Sequence, residues 1–150
     1  MRVVLQRVTE ASVKINGSIK GSIEKGLLLL LGIESEDRQE DIDWLIQKII
    51  NLRIFEDEEG KMNLSLQNVN GEILVISQFT LFTSTKKGNR PSFIKAAKPE
   101  VAIPLYEQFL QKIKSVSNSK VDAGEFGADM KVSLCNDGPV TILIDSKNRE

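Results

Sequence analysis

The stretch Gly26-Leu27-Leu28-Leu29-Leu30-Leu31-Gly32 constrains the fold more than any other, because five consecutive leucines between two glycines offer no polar face to water. The run is far shorter than the ~20 residues needed to cross a bilayer, so it predicts no membrane span. A continuous apolar segment bounded by glycines instead predicts a strand over Gly26 to Ile33 that is covered on both faces and sits centrally. The remaining sequence must supply a cover for each face.

Alternating apolar residues over Arg2 to Val8 and Ser12 to Ile15 predict two strands. Asn16-Gly17 predicts a two-residue hairpin, since both residue types tolerate positive φ. A helix follows the central strand: Ile42, Leu45, Ile46, Ile49 and Ile50 fall on one face, and Asp37 with Glu40 has the spacing of a capping box. Glu56 to Lys61 with Gly60 reads as an exposed turn, and Ile73 to Phe82 as a second apolar strand. From Pro99 a second helix buries Ala102, Leu105, Tyr106, Phe109, Ile113 and Val116, with Pro104 either kinking it or marking its first turn. Lys131 to Cys135 and Val140 to Asp145 predict two strands joined by a turn at Asn136 to Pro139. Together these make a mixed α/β domain over 1–150, with roughly seven strands and two helices. Layered, barrel-like and mostly antiparallel sheets carry both helices on one side.

The chain of 150 residues with 41% hydrophobic side chains is long enough to bury a core without disulfides or metal. One cysteine, Cys135, and a start that runs directly into a strand-like segment point to the cytoplasm. The chain contains no histidine, which excludes Ser-His-Asp and Cys-His chemistry and histidine-ligated zinc. Any reaction then rests on backbone dipoles, hydroxyls, carboxylates, lysines or the substrate itself. Net charge is −1, yet Lys86, Lys87, Arg90, Lys95 and Lys98 lie in a stretch without acidic residues. That segment suits phosphates, although a solvated basic loop has the same appearance.

Two segments carry candidate chemistry. Ser77-Gln78-Phe79-Thr80 places hydroxyls and an amide where an apolar strand meets the basic loop. Its hydroxyls also suit plain backbone capping, and its backbone N–H groups are better oxyanion donors than its side chains are nucleophiles. Asn136-Asp137-Gly138-Pro139 reads first as an ordinary hairpin turn. Cys135, with no histidine to lower its pKa, reads as a small buried hydrophobe, and Phe126 and Met130 as core or pocket-wall residues.

Four motifs in order, Ser77-Gln78-Phe79-Thr80-Leu81, Gly88-Asn89-Arg90-Pro91-Ser92-Phe93, Phe126-Gly127-Ala128-Asp129-Met130 and Asn136-Asp137-Gly138-Pro139-Val140-Thr141, follow Met1-Arg2-Val3-Val4-Leu5-Gln6-Arg7-Val8. In this order and across almost the whole chain, they resemble the D-aminoacyl-tRNA deacylase family. The resemblance implies a cytoplasmic homodimer, without metal or cofactor. It hydrolyses the ester between a D-amino acid and the terminal ribose of tRNA, and removes glycine mischarged onto tRNA. It further implies that Ser77, Gln78, Phe79 and Thr80 line the pocket with the Phe79 and Thr80 amides facing the carbonyl. Asn136, Gly138 and Pro139 then bind substrate through a cis Gly138-Pro139 step that reaches into the other subunit's site. Phe126 and Met130 flank the terminal adenosine.

That reaction makes physical sense of the missing histidine. An aminoacyl ester is already activated, so positioning, oxyanion donors and the substrate's 2′-hydroxyl can suffice. A thousandfold preference for one enantiomer requires roughly 4 kcal/mol of transition-state discrimination, for which a rigid backbone obstacle is the cheapest source. Lys86, Lys87 and Arg90 become candidate contacts to tRNA phosphates. Two alternatives stay open: a non-catalytic tRNA-binding dimer, and a hydrolase of another small ester with Thr80 as nucleophile.

Overall fold

A computed structural model describes residues 1–150. The chain opens with β1 (Arg2–Ile15), turns through Asn16 (φ 50°) and Gly17 (φ 79°), and returns as β2 (Ser18–Ile23). The paired positive φ values are those of the tight hairpin that Asn-Gly favours. β1 is one strand where two short ones were expected. Its first half pairs antiparallel with β3 (Gly26–Gly32) through residues 2–8, and its second half pairs with β2 through residues 11–15. By changing partner midway, β1 turns the corner that begins to close the sheet.

Helix α1 (Gln39–Asn51) and a small hairpin, β4 (Phe55–Glu56) with β5 (Met62–Leu64), carry the chain back to β6 (Glu72–Ser77), which lies parallel to β3. A 3-10 turn (Phe79–Phe82), α2 (Pro99–Val116), β7 (Val121–Ala123) and β8 (Lys131–Asp145) complete the chain. The order is β2-β1-β3-β6-β7, with β8 on the other side of β1. Only β3–β6 and β6–β7 are parallel, so the sheet is mostly antiparallel and barrel-like, as expected.

The leucine run is covered on both faces. Leu27, Leu29 and Leu31 join Ile42, Leu45, Ile46 and Ile49 of α1 and Ala102, Tyr106, Phe109 and Ile113 of α2 in one core. Leu28 packs on the opposite face with Val8, Val13, Leu74 and Ile76. Both helices therefore lie on one side, and the curled sheet fills the other.

Local details differ from the sequence reading. The capping pair is shifted by one residue: the Arg38 amide donates to the Asp41 carboxylate at 2.8 Å. Asp37 is instead buried, where it accepts from the α-ammonium of Met1. Burial alone would raise the Asp41 carboxyl, but hydrogen bonds from Ser146, Lys147 and the Arg38 amide hold it down at about 2. Helix α2 begins at Pro99 and continues through Pro104, so Pro104 is not its first turn. The strand expected to reach Phe82 ends at Ser77, where the backbone tightens into the 3-10 turn.

The largest difference concerns residues 131–145, which make one strand and no hairpin. Both halves of β8 pair with β1, with Gln6 opposite Thr141 and Val8 opposite Asn136. The Gly-Pro segment between them has no room to turn the chain, so it is extruded as a wide bulge opposite Arg7. Cys135, expected to be buried, is exposed on this strand. β8 pairs on one side only, and it leaves Leu143 65% exposed.

Candidate active site

The parallel pairing of β3 and β6 sets the position of the first candidate segment. The Gln78 amide donates to Leu31 O at 2.7 Å, the last rung before β6 gives way to the 3-10 turn. Leu81 N–H to Gln78 O, 3.2 Å, is the first hydrogen bond of that turn, so the amides of Phe79 and Thr80 precede it and have no acceptor within the turn. Beside the turn lies a small, largely apolar pocket of about 70 Å³, lined by Leu31, Ile33, Ser77, Gln78, Phe79 and Phe126, among others. Phe79 is 56% exposed, and its ring meets Phe93 edge-on at 5.2 Å.

The structure brings Ser77, Gln78, Phe79 and Phe126 together along this pocket. Thr80 is adjacent, and its Oγ1 accepts from Gln78 Nε2. That bond draws electron density from the hydroxyl oxygen and removes no proton from it. Phe126 leans on Tyr106, with ring centroids 5.7 Å apart. The Tyr106 hydroxyl donates to Val75 O at 3.3 Å, and burial pushes its pKa up to about 12. Met130 stands off the pocket and packs on the opposite core with Leu28 and Ile76. Gly124 makes its place, because a Cβ there would lie 2.4 Å from the Met130 sulfur.

Asn136, Gly138 and Pro139 do not line this pocket. They form the β8 bulge, in which the Gly138-Pro139 peptide bond is cis and both residues are exposed. The Asn136 side chain staples the bulge: its amide donates to Val140 O (3.2 Å) and Thr141 Oγ1 (3.1 Å), and its Oδ1 accepts from Val140 N–H (2.8 Å). Gly138 has φ 133°, and a Cβ there would lie 2.9 Å from Val140 Cγ2 and 3.2 Å from Arg7 Nη2. Only glycine fits both that backbone and that space.

Arg7 is a site residue that sequence reasoning left without a role. Its guanidinium is buried, donates to Asp137 O at 3.0 Å and to Ile54 O, and lies 3.3 Å from the Asp137 carboxylate. It braces the bulge from within the sheet. The available signal was its register: Val3, Leu5 and Arg7 all point into the core, and an arginine there needs fixed acceptors.

Lys86, Lys87 and Arg90 are exposed in a finger closed by the reciprocal hydrogen bonds of Ser84 and Ser92, 2.8 and 2.9 Å, with Gly88 at φ 66°. The finger follows the 3-10 turn directly and puts three cations in one exposed stretch.

Comparison with known proteins places this arrangement. The family model described as D-Tyr-tRNA(Tyr) deacylase matches residues 4–145. A D-aminoacyl-tRNA deacylase of Flavobacterium psychrophilum is 64% identical over 150 residues, all of both chains, and one of Bacteroides fragilis is equally similar, 64% over the whole of each. Among solved structures, one named c-Myc DNA Unwinding Element Binding Protein superposes with a TM-score of 0.91 at 43% identity, covering 97% of this chain and 98% of that one. A probable eukaryotic D-amino acid tRNA deacylase shares the fold, with TM-score 0.80 at 20% identity over 95% of this chain and 97% of its own. This chain belongs to the D-Tyr-tRNA(Tyr) deacylase family.

Proposed function

We propose that the chain, acting as one domain over 1–150, hydrolyses the ester of D-aminoacyl-tRNA and of tRNA mischarged with glycine, releasing free amino acid and tRNA. Family membership supports the reaction, and one observation carries the mechanism: the Phe79 and Thr80 amides lack an acceptor within their turn, beside a hydroxyl-edged pocket. These amides hold the carbonyl oxygen as it becomes an oxyanion. Water adds to the carbonyl carbon with its proton drawn toward the ribose 2′-oxygen. The bond to the 3′-oxygen then breaks as that oxygen takes the proton relayed through the 2′-hydroxyl, and the amino acid leaves as its carboxylate, the second water proton passing to solvent.

The pocket receives no residue from its own β8, while β8 presents Gly138-Pro139 to solvent on an edge that also exposes Leu143. A homodimer in which each chain's Gly138-Pro139 enters the other's pocket accounts for both facts. There the step's carbonyls capture the substrate α-ammonium and its rigid backbone crowds out an L side chain, while Asn136 fixes the shape of the bulge. We assign Phe126, which lines the pocket, and Met130, which lies outside it, to the two sides of the terminal adenosine, and Lys86, Lys87 and Arg90 to acceptor-stem phosphates. No helix is long and apolar enough to cross a membrane, and the cytoplasm, where charged tRNA is found, is the compartment we assign.

The bond from Gln78 to Thr80 favours substrate assistance over a Thr80 nucleophile. Thr80→Ala should keep D-tyrosyl-tRNA hydrolysis within about tenfold of the parent, whereas a substrate with a 2′-deoxy terminal ribose should react at least about a hundredfold more slowly. Complete loss in Thr80→Ala with full activity on the deoxy substrate would reverse the assignment.

A further inference from the structure

Three residues that the deacylase reading leaves without a role lie in one row across adjacent strands: Gly32 of β3, Arg2 of β1 and Asp145 of β8 are direct register partners. Side chains of directly opposed residues leave the sheet on the same face. Gly32 sends nothing out, and the 3-10 turn occupies the space. A Cβ on Gly32 would lie 3.0 Å from Leu81 Cβ, 3.1 Å from Gln78 O and 3.3 Å from the Phe82 ring.

Arg2 reaches across this bare rung to the same turn. Its Nη1 donates to Leu81 O at 3.0 Å, and its guanidinium carbon lies 4.6 Å from the centre of the buried Phe82 ring. Its Nε donates to Asp145 Oδ2 at 2.7 Å. The last carbonyls of a helical turn have no partner within it, and here two of them are capped by side chains. Thr83 Oγ1 donates to Thr80 O, and Arg2 donates to Leu81 O. A cation at that end also suits the turn's dipole and the ring face beneath it.

We infer that Arg2, oriented by Asp145 and admitted by the bare rung at Gly32, is a positioning residue of the hydrolytic site: it fixes the Phe79–Phe82 turn and thereby the aim of the Phe79 and Thr80 amides. The inference rests on the reading that those amides face the ester carbonyl. Arg2 itself touches no reacting atom. Its other contacts are the ring of Phe82, at the C-terminal end of the turn, and the carboxylate of Asp145. Loosening it should therefore spoil transition-state geometry more than substrate affinity, because misplacing a donor by about 1 Å can cost about a hundredfold in rate.

The test is steady-state and single-turnover hydrolysis of D-tyrosyl-tRNA by the parent, Arg2→Met, Arg2→Lys and Asp145→Asn. Thermal unfolding and native molecular mass would be measured alongside. Arg2→Met should lower kcat about ten- to a hundredfold with KM within about twofold. Arg2→Lys, which keeps the charge and one hydrogen bond at a time, should recover part of that loss, and Asp145→Asn should show a smaller loss of the same kind. Amide hydrogen exchange at Leu81, whose N–H makes the first hydrogen bond of the turn, should quicken in the order of the kcat losses.

A folded Arg2→Met with parental kcat would overturn the inference, as would a rise in KM alone, which would make Arg2 a substrate contact. If Arg2→Met does not fold, parental kcat and parental exchange in both Arg2→Lys and Asp145→Asn would overturn it equally. A parent that does not hydrolyse the ester at all would instead overturn the deacylase reading, so the two failures are distinct.

Discussion

At the scale of single residues, the molecule divides its chemistry between groups that touch substrate and groups that hold those groups still. We assign Gly138 to the first kind. Its φ of 133° and the close approach of Val140 and Arg7 leave no space for a methyl group. Gly138→Ala should therefore fold with the bulge displaced and lose about a hundredfold in kcat/KM for D-tyrosyl-tRNA, while circular dichroism stays that of the parent. Parental hydrolysis by this variant would show that the step does not meet substrate. Arg7 is of the second kind, with its buried guanidinium spent on Asp137 O and Ile54 O. The sequence displayed the arginine but not its acceptors, which come from residues 47 and 130 positions away.

At the scale of elements, what was legible followed from local rules. The Asn16-Gly17 hairpin, the doubly covered leucine strand and the apolar faces of both helices all appear where residue pattern placed them. What was illegible depended on partners distant in sequence. Gly-Pro between two apolar strands has the local signature of a hairpin, and only the pairing of both flanks with β1 makes it a bulge. Likewise the shift from β6 into the 3-10 turn at Phe79 requires Gly32 beneath it, 47 residues earlier by numbering. Ser77 and Phe126 could be assigned to one pocket only through family resemblance, since no periodicity links them.

The basic finger between Ser84 and Ser92 is an element whose role can be measured by itself. Substituting Lys86, Lys87 and Arg90 together by alanine should weaken binding of every tRNA alike. The slope of log affinity against log salt should flatten by about one unit for each phosphate that the variant no longer neutralises. Unchanged affinity and slope in the triple variant would mean that the finger is merely a solvated loop.

At the scale of the whole molecule, the pocket and the Gly138-Pro139 bulge belong to different regions of one chain, and the dimer proposal unites them across two. Phe79→Pro removes one amide donor at a turn position that tolerates proline. Alone it should retain about a hundredth of the parental rate or less, as should Gly138→Ala. Refolded together, they should form mixed dimers with one intact composite site, recovering about a quarter of the parental rate. No recovery in verified mixed dimers would mean that each chain completes its own site.

The central claim is that a histidine-free pocket cleaves an aminoacyl ester and reads its chirality through backbone groups. Incubation of the purified protein with D-tyrosyl-tRNA and, separately, L-tyrosyl-tRNA at equal enzyme tests it most directly. The account predicts rapid loss of the D ester with the L ester left intact. Equal cleavage of both would contradict the chiral role of Gly138-Pro139, and cleavage of neither by folded protein would leave a tRNA-binding dimer in place of an enzyme.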